Sequence, residues 1–264
     1  MRIQYISDIH LEYYDPKNEG VIQPELFLTP NAEYLALCGD IGIPDLASYK
    51  PFLTWCSQHW KTVFILAGNH EYYNQRVTER TSMEQKKKKI KLACVNLPNV
   101  YFLDCDSVWI ESEKVRVLGC TFWSEVHDEV LEKARFDFTH PKQILLDSTT
   151  PATPEVLREL HRIEVDWLRS ELKKASVLDE KVLVLTHYLP SYKLIAEKFW
   201  GYEMSSCFAS DRDELIRHPV AAWICGHSHH GKYIVLKGTI CALNPHGYPN
   251  ESVPTRNKAA VLEI

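Results

Sequence analysis

The chain has 264 residues, enough for one large α/β domain with a sizeable core, and its length asks for no second domain. It is 45% hydrophobic and 25% charged with a formal net charge of -5, so nothing global advertises nucleic acid or an anionic membrane as a partner. No apolar run reaches the ~20 residues of a membrane helix, and none of the eight cysteines forms a C-x-x-C pair, so reduced, mostly buried thiols in a cytoplasmic protein are expected.

In chain order, the first expected strand covers residues 3–7, with no charged-then-apolar leader ahead of it and hence no visible signal peptide. It runs into Asp8-Ile9-His10, and residues 15–30 read as an irregular loop able to wall a site. A strand over 34–38 runs into Gly39-Asp40, a helix is expected over 46–60, and a strand over 63–66 leads to Gly68-Asn69-His70-Glu71. A helix over about 78–93 carries the basic run Lys86-Lys87-Lys88-Lys89-Ile90-Lys91. That run reads as a solvated helix face, with contact to a phosphate-rich substrate or nucleic acid as the sharper alternative. Strands follow over 100–103, 108–110 and 115–118. Thr153 as N-cap and Pro154 at the first helical position open the clearest helix, with an apolar face of Leu157, Leu160, Ile163, Trp167, Leu168 and Leu172. The wholly apolar strand over 182–185 suits a central position covered on both faces and ends at Thr186-His187. A strand over 221–224 precedes Gly226-His227-Ser228-His229, and strands over 233–236, 239–243 and 259–263 complete the chain. There is no internal repeat or linker, so residues 1–264 are expected to form a single domain.

Five short motifs thus fall just past strand ends, where open α/β sheets place their sites. Each has a bland reading by itself. D-x-H occurs by chance, Gly39-Asp40 is a plain turn, Gly68-Asn69 an Asx turn, His187 a hydrogen-bonded core histidine, and His227/His229 a surface pair. Together they supply carboxylates, imidazoles and one amide oxygen, a donor set suited to divalent transition metals. The leading reading is a two-metal site for phosphoester hydrolysis.

The ordered pattern resembles the calcineurin-like metallophosphoesterase superfamily, whose motifs run D-x-H, G-D, G-N-H-[DE], H and G-H-x-H. The match spans Asp8 to His229. It is extended by Gly119-Cys120-Thr121-Phe122-Trp123, His187-Tyr188-Leu189-Pro190-Ser191 and Asn244-Pro245-His246-Gly247-Tyr248. The resemblance implies a four-layer α/β/β/α sandwich. It implies Asp8, His10, Asp40 and His229 on a first metal, and Asp40, Asn69, His187 and His227 on a second, with Asp40 bridging. His70 would face the phosphate as a non-ligand, oriented by Glu71. The implied reaction is hydrolysis of a phosphomonoester or diester by a metal-bridging hydroxide, with Mn, Fe, Zn or Ni as the two divalent ions. A small phosphorylated molecule is the implied substrate.

The chain also departs from that pattern. Ile43 stands where many members carry a second acidic residue, with Asp45 two positions on, which removes one candidate for supporting the site. Tyr188 replaces a second histidine, and His230, in the last motif, is read as no ligand. Glu71-Tyr72-Tyr73 lacks the arginine of the protein phosphatases, which lowers that reading. Tyr72, Trp123 and Tyr248 are expected near the pocket, and Arg135, Arg212 and Arg256 are candidate phosphate clamps. A nuclease of the same superfamily is the disfavoured alternative, because little chain follows His229 to form a DNA-binding cap. A non-catalytic scaffold would have lost residues such as His70. Structural zinc favours cysteines, which this constellation lacks.

Overall fold

In the computed structural model, residues 1–15, 17–75, 77–137, 143–147 and 149–264 are described. Strands β1 (Arg2–Ile6), β2 (Tyr34–Cys38), β3 (Thr62–Leu66) and β4 (Val100–Phe102) pair in parallel, and the last strand, β11 (Val261–Glu263), lies antiparallel beside β1. A second sheet has the order β5 (Asp106–Ile110), β6 (Val115–Cys120), β7 (Lys181–Thr186), β8 (Val220–Cys225), β10 (Thr239–Leu243), β9 (Lys232–Leu236). Its middle four strands are parallel and its two edges antiparallel.

The period of two along each strand sorts the apolar side chains into three layers of core. Ile3, Tyr34, Ala36, Phe64 and Leu66 meet Val115, Val117, Leu183, Leu185 and Ile224 between the sheets. The alternate residues Leu35, Leu37, Val63 and Ile65 face outward onto Phe52, Leu53 and Cys56 of helix α1 (Tyr49–His59) and Ile90 of α2 (Met83–Cys94). On the far side Val182, Val184, Trp223 and Cys225 pack under Val165, Leu168 and Leu172 of the long helix α4 (Pro154–Val177), which follows the short α3 (Leu131–Asp137). The result is the expected α/β/β/α order. Val182–Leu185 reads as unbroken hydrophobicity because both of its faces are covered. Truncating a fully buried leucine there, such as Leu183→Ala, is expected to cost ~2–5 kcal/mol.

Several local expectations need correction. Helix α2 starts at Met83, not 78, because Ser82 forms a reciprocal capping box with Gln85. Its lysine run is not a uniformly solvated face. Lys86 is fully buried, donating to the Tyr73 carbonyl at 2.7 Å and to Asp45, while Lys89 also reaches Asp45 and Lys87 reaches Asp104 at 2.8 Å. On α4, Ile163 is 49% exposed, and the buried face instead carries His161 and Glu164. The Glu164 carboxylate accepts the Trp123 N–H at 2.8 Å, which explains a buried acid on a core face. All eight cysteines are free. Among the described residues no helix is long and apolar enough to cross a membrane.

The carboxyl ends of the two sheets are stitched together by main-chain hydrogen bonds. Ser7 N donates to Asn244 O at 3.2 Å, His246 N to Ser7 O at 2.9 Å, and Gly247 N to Asp8 O at 2.9 Å, each crossing from the end of β1 to the end of β10. All five motifs are therefore delivered to one edge of the sandwich.

Candidate metal centre

At these strand ends the backbone leaves the sheet abruptly. Asp8, His10, Asp40, His227 and His229 all have positive φ, between 46° and 69°. Left-handed conformation at a non-glycine residue costs of order 1–3 kcal/mol, and such residues collect at functional sites. Gly39 (φ 80°) and Gly68 make room for the centre. A Cβ on Gly39 would lie 2.5 Å from His187 Nδ1, and one on Gly68 would overlap the Asp40 carboxylate.

Two histidine–carboxylate clusters result. In the first, Asp8, His10 and His229 bring their ligating atoms within 4.8 Å of one another, and in the second Asp40, His187 and His227 do the same. Asn69 joins the second group, its Oδ1 lying 3.1 Å from His187 Nε2. A third group within the same limit, His10, Glu12 and His70, shares His10 with the first.

Hydrogen bonding fixes the imidazole tautomers. His187 Nδ1–H donates to the Cys38 carbonyl at 2.9 Å, His229 Nδ1–H to Glu251 at 2.5 Å, and His10 Nδ1–H to Glu12 at 3.2 Å. Every Nε2 is then left with a lone pair, and these lone pairs point at other acceptors. His10 Nε2 and His229 Nε2 stand 3.1 Å apart, with Asp8 Oδ1 3.4 Å from the latter. His187 Nε2 faces Asn69 Oδ1 at 3.1 Å and Asp40 Oδ2 at 3.4 Å. Buried acceptors converging on acceptors demand a shared cation, either a proton or a metal ion.

The electrostatics agree. Burial opposes charge on every group, yet the Asp40 and Asp8 carboxylates raise His187 to about 9, and Asp8 with Glu251 raises His229 to about 9. Burial pushes Asp8 up, but the His229 hydrogen bond and charge bring it down to about 2. Asp40 is held well below its ordinary value by His187 and His70 against the same burial. Burial and the His70 charge lower His10.

His70 sits on the single turn His70–Tyr72, and its amide donates to Asp40 Oδ1 at 2.7 Å. Its orientation corrects one expectation. Glu71 does not hold this ring: its carboxylate accepts four backbone N–H groups, from Gly68, Asp40, Ile41 and Gly42 at 2.7–3.3 Å. Glu71 therefore fastens the G-N-H-E turn to the G-D turn. Burial and the Asp40 charge raise it to about 7, against the pull of the Gly68 and Ile41 amides. The ring is held by Glu12, which accepts from His70 Nδ1 at 2.8 Å as well as from His10. Against the cost of burial, the Asp40 and Glu12 charges raise the His70 pKa.

Glu12 and Glu251 did not emerge from sequence reasoning. Glu12 supplies the supporting carboxylate that Ile43 cannot. A signal for it was available in an acid two residues past His10, on the face that returns toward the site. Glu251 lies on the loop just past the Asn244–Tyr248 motif, in a turn closed by its bond from the Tyr248 amide. Other expected residues fall elsewhere. Tyr248 lines the pocket, with its hydroxyl 3.4 Å from His70 Nε2, and His230 lines it too. Tyr72 and Trp123 are buried core residues with ring centroids 5.7 Å apart. Arg135 pairs with Glu155, Arg212 with Glu125, and Arg256 donates to the Glu251 carbonyl; none of the three lines the cavity.

Comparison with known proteins bears on this arrangement. The chain is 29% identical over 269 residues to the uncharacterized protein L509 of Acanthamoeba polyphaga mimivirus, covering 95% of this chain and 93% of that one. Its fold is similar to the phosphopantetheinyl hydrolase PptH of Mycobacterium tuberculosis (TM-score 0.68, 15% identity, 94% of this chain and 89% of that one). A dimetal phosphatase from Danio rerio superposes less closely (TM-score 0.48, 15% identity, 92% and 86%). The calcineurin-like phosphoesterase family model matches residues 1–231, which include every motif from Asp8 to His229 but not Glu251. The chain belongs to the calcineurin-like phosphoesterase family.

Proposed function

We propose that the protein hydrolyses a phosphomonoester or diester of a small molecule with two divalent ions. Asp8, His10, Asp40 and His229 would hold the first, and Asp40, Asn69, His187 and His227 the second. The observation that carries this reading is the convergence of tautomer-fixed Nε2 lone pairs and carboxylates in two adjacent clusters beside His70. Divalent ions bound there would supply Lewis-acid polarisation of the phosphoryl oxygens and activation of the attacking water.

The chain's own residues have separable tasks. Glu12, fully buried, holds the His70 ring by Nδ1 and favours its imidazolium form, leaving Nε2–H directed to the cavity. That proton stabilises charge developing on the phosphoryl group or passes to the leaving oxygen, a contribution of about 10²–10⁴-fold. Asp40 couples the parts, accepting the His70 amide while facing His187. The adjoining cavity of about 380 Å³ has the size of a small-molecule pocket and supports that substrate class over a nucleic-acid duplex. The hydrolase name of the mycobacterial neighbour is compatible with the same chemistry.

The test is hydrolysis of a chromogenic phosphomonoester and diester by metal-stripped protein re-supplied with Mn²⁺, Fe²⁺, Zn²⁺ or Ni²⁺. Metal-dependent turnover that disappears in His227→Ala is expected. Turnover that ignores metal, or survives that substitution, would overturn the reading.

A further inference from the structure

The cavity has a second wall that the hydrolytic reading leaves unused. Beside His70, His227 and His229, the segment from Ile195 to Phe208 contributes Ile195, Phe199, Tyr202 and Phe208, the last with its ring centroid 5.4 Å from that of His227. It folds as two short 3-10 turns, Glu197–Phe199 and Glu203–Cys207, directly after the turn that follows His187. Phe199 is 44% and Tyr202 46% exposed, and both residues line the cavity. Clustered exposed rings beside a polar site mark a ligand surface. Tyr73 and Tyr248 bring further rings from the metal side of the same cavity. Polar groups are interleaved: Ser205, Ser228, Lys198 and Glu251 also line it. The Lys198 ammonium lies 4.9 Å from the Phe199 ring centroid.

We propose that this segment selects the substrate's organic group, and that this group is a planar aromatic ring seated on Phe199, Tyr202 and Phe208 while the phosphoryl group lies at the metal centre. The proposal rests on the hydrolase reading for the phosphoryl half only. Volume argues for it, since about 380 Å³ accommodates one phosphoryl group and one ring system rather than a macromolecular strand. Composition argues for a ring over an aliphatic chain. Any apolar wall would serve a chain, whereas several ring faces from separate segments gain specifically from an aromatic partner through offset or edge-to-face contact. The interleaved hydroxyl, ammonium and carboxylate groups suit heteroatoms on the ring's edge.

The test is calorimetric titration of Mn²⁺-loaded protein with 2-phenylethylphosphonate and 2-cyclohexylethylphosphonate, matched in length and charge and differing in aromaticity. The expected result is about 2- to 10-fold tighter binding of the phenyl compound, with the advantage falling to near unity in the Phe199→Leu/Tyr202→Leu protein. Both side chains are partly exposed, so this variant keeps its core. Equal binding of the two probes, or a preference unchanged by the substitutions, would overturn the inference. Turnover of the corresponding phosphate esters is measured in parallel. A ring preference in binding with no turnover would remove the hydrolase reading and keep this one, while turnover without ring preference would do the reverse. Binding of neither probe would overturn this inference and leave the hydrolase reading to the turnover measurement.

Discussion

Behind Asp8, His10 and His229 stand two carboxylates, Glu12 and Glu251, while behind His187 stands the main-chain carbonyl of Cys38. A carboxylate partner makes an imidazole a stronger donor to metal than a carbonyl does, and it can be altered by substitution. A carbonyl cannot. The first cluster is therefore tunable through side chains on loops, one of them beyond the family-matched region, whereas the second is set by the geometry of β2, β7 and the glycine turns between them. His70 belongs to neither metal group of the proposed mechanism, yet it shares Glu12 with the first.

This contrast can be broken by experiment. The largest effect is expected at His70. His70→Ala should lower kcat by about 10²–10⁴-fold while both metals stay bound, as read from turnover beside metal analysis of the same sample. Loss of metal along with activity would merge His70 into a cluster. The next effect separates the clusters. Glu251→Gln should weaken one of the two metals by about 10–100-fold. Gly39→Ala, whose Cβ would strike the His187 ring, should weaken the other. Chelator competition distinguishes the cases, and equal weakening of both ions by Glu251→Gln would contradict the division.

Proton linkage sharpens the comparison further. His187 and His229 are both raised to about 9, so a proton must leave each when metal binds. Metal affinity should fall as pH drops below about 9, by up to about tenfold per unit for each proton displaced. Despite their different supports, the two sites should share this slope. A further effect lies away from the centre. His161, on the buried face of α4, is lowered to about 3 by burial and by the charges of Arg212 and Arg169. Its folded pKa lies below the unfolded value of 6.5, so the unfolded chain binds the extra proton between those values. Stability should therefore be lost as pH falls from about 6.5 toward 3, at about 1.4 kcal/mol per pH unit. Denaturant titration of the wild type and His161→Leu across that range checks it, and parallel slopes in the two proteins would refute it.

What could be read from the sequence follows from how the site is made. Asp8, Asp40, Asn69, His187, His227 and His229 sit at strand ends, so local patterning both predicts the strands and flags the residues after them. The supporting groups are joined only through tertiary contact. Glu251 reaches His229 across the turn at Tyr248, and Glu71 bonds backbone amides thirty residues away in the G-D turn. Lys86 looked solvated because its neighbours are lysines, and its buried partners Asp45 and the Tyr73 carbonyl lie on loops whose paths have no local signature. The buried face of α4 was misjudged for the same reason: Glu164 is satisfied by the Trp123 amide, which hydrophobic periodicity does not record.

The most direct measurement is anomalous diffraction from crystals of the metal-loaded protein. The account predicts two adjacent metal peaks, one among Asp8, His10 and His229 and the other among Asn69, His187 and His227, with Asp40 touching both. A single peak, or one centred on His10, Glu12 and His70, would contradict it.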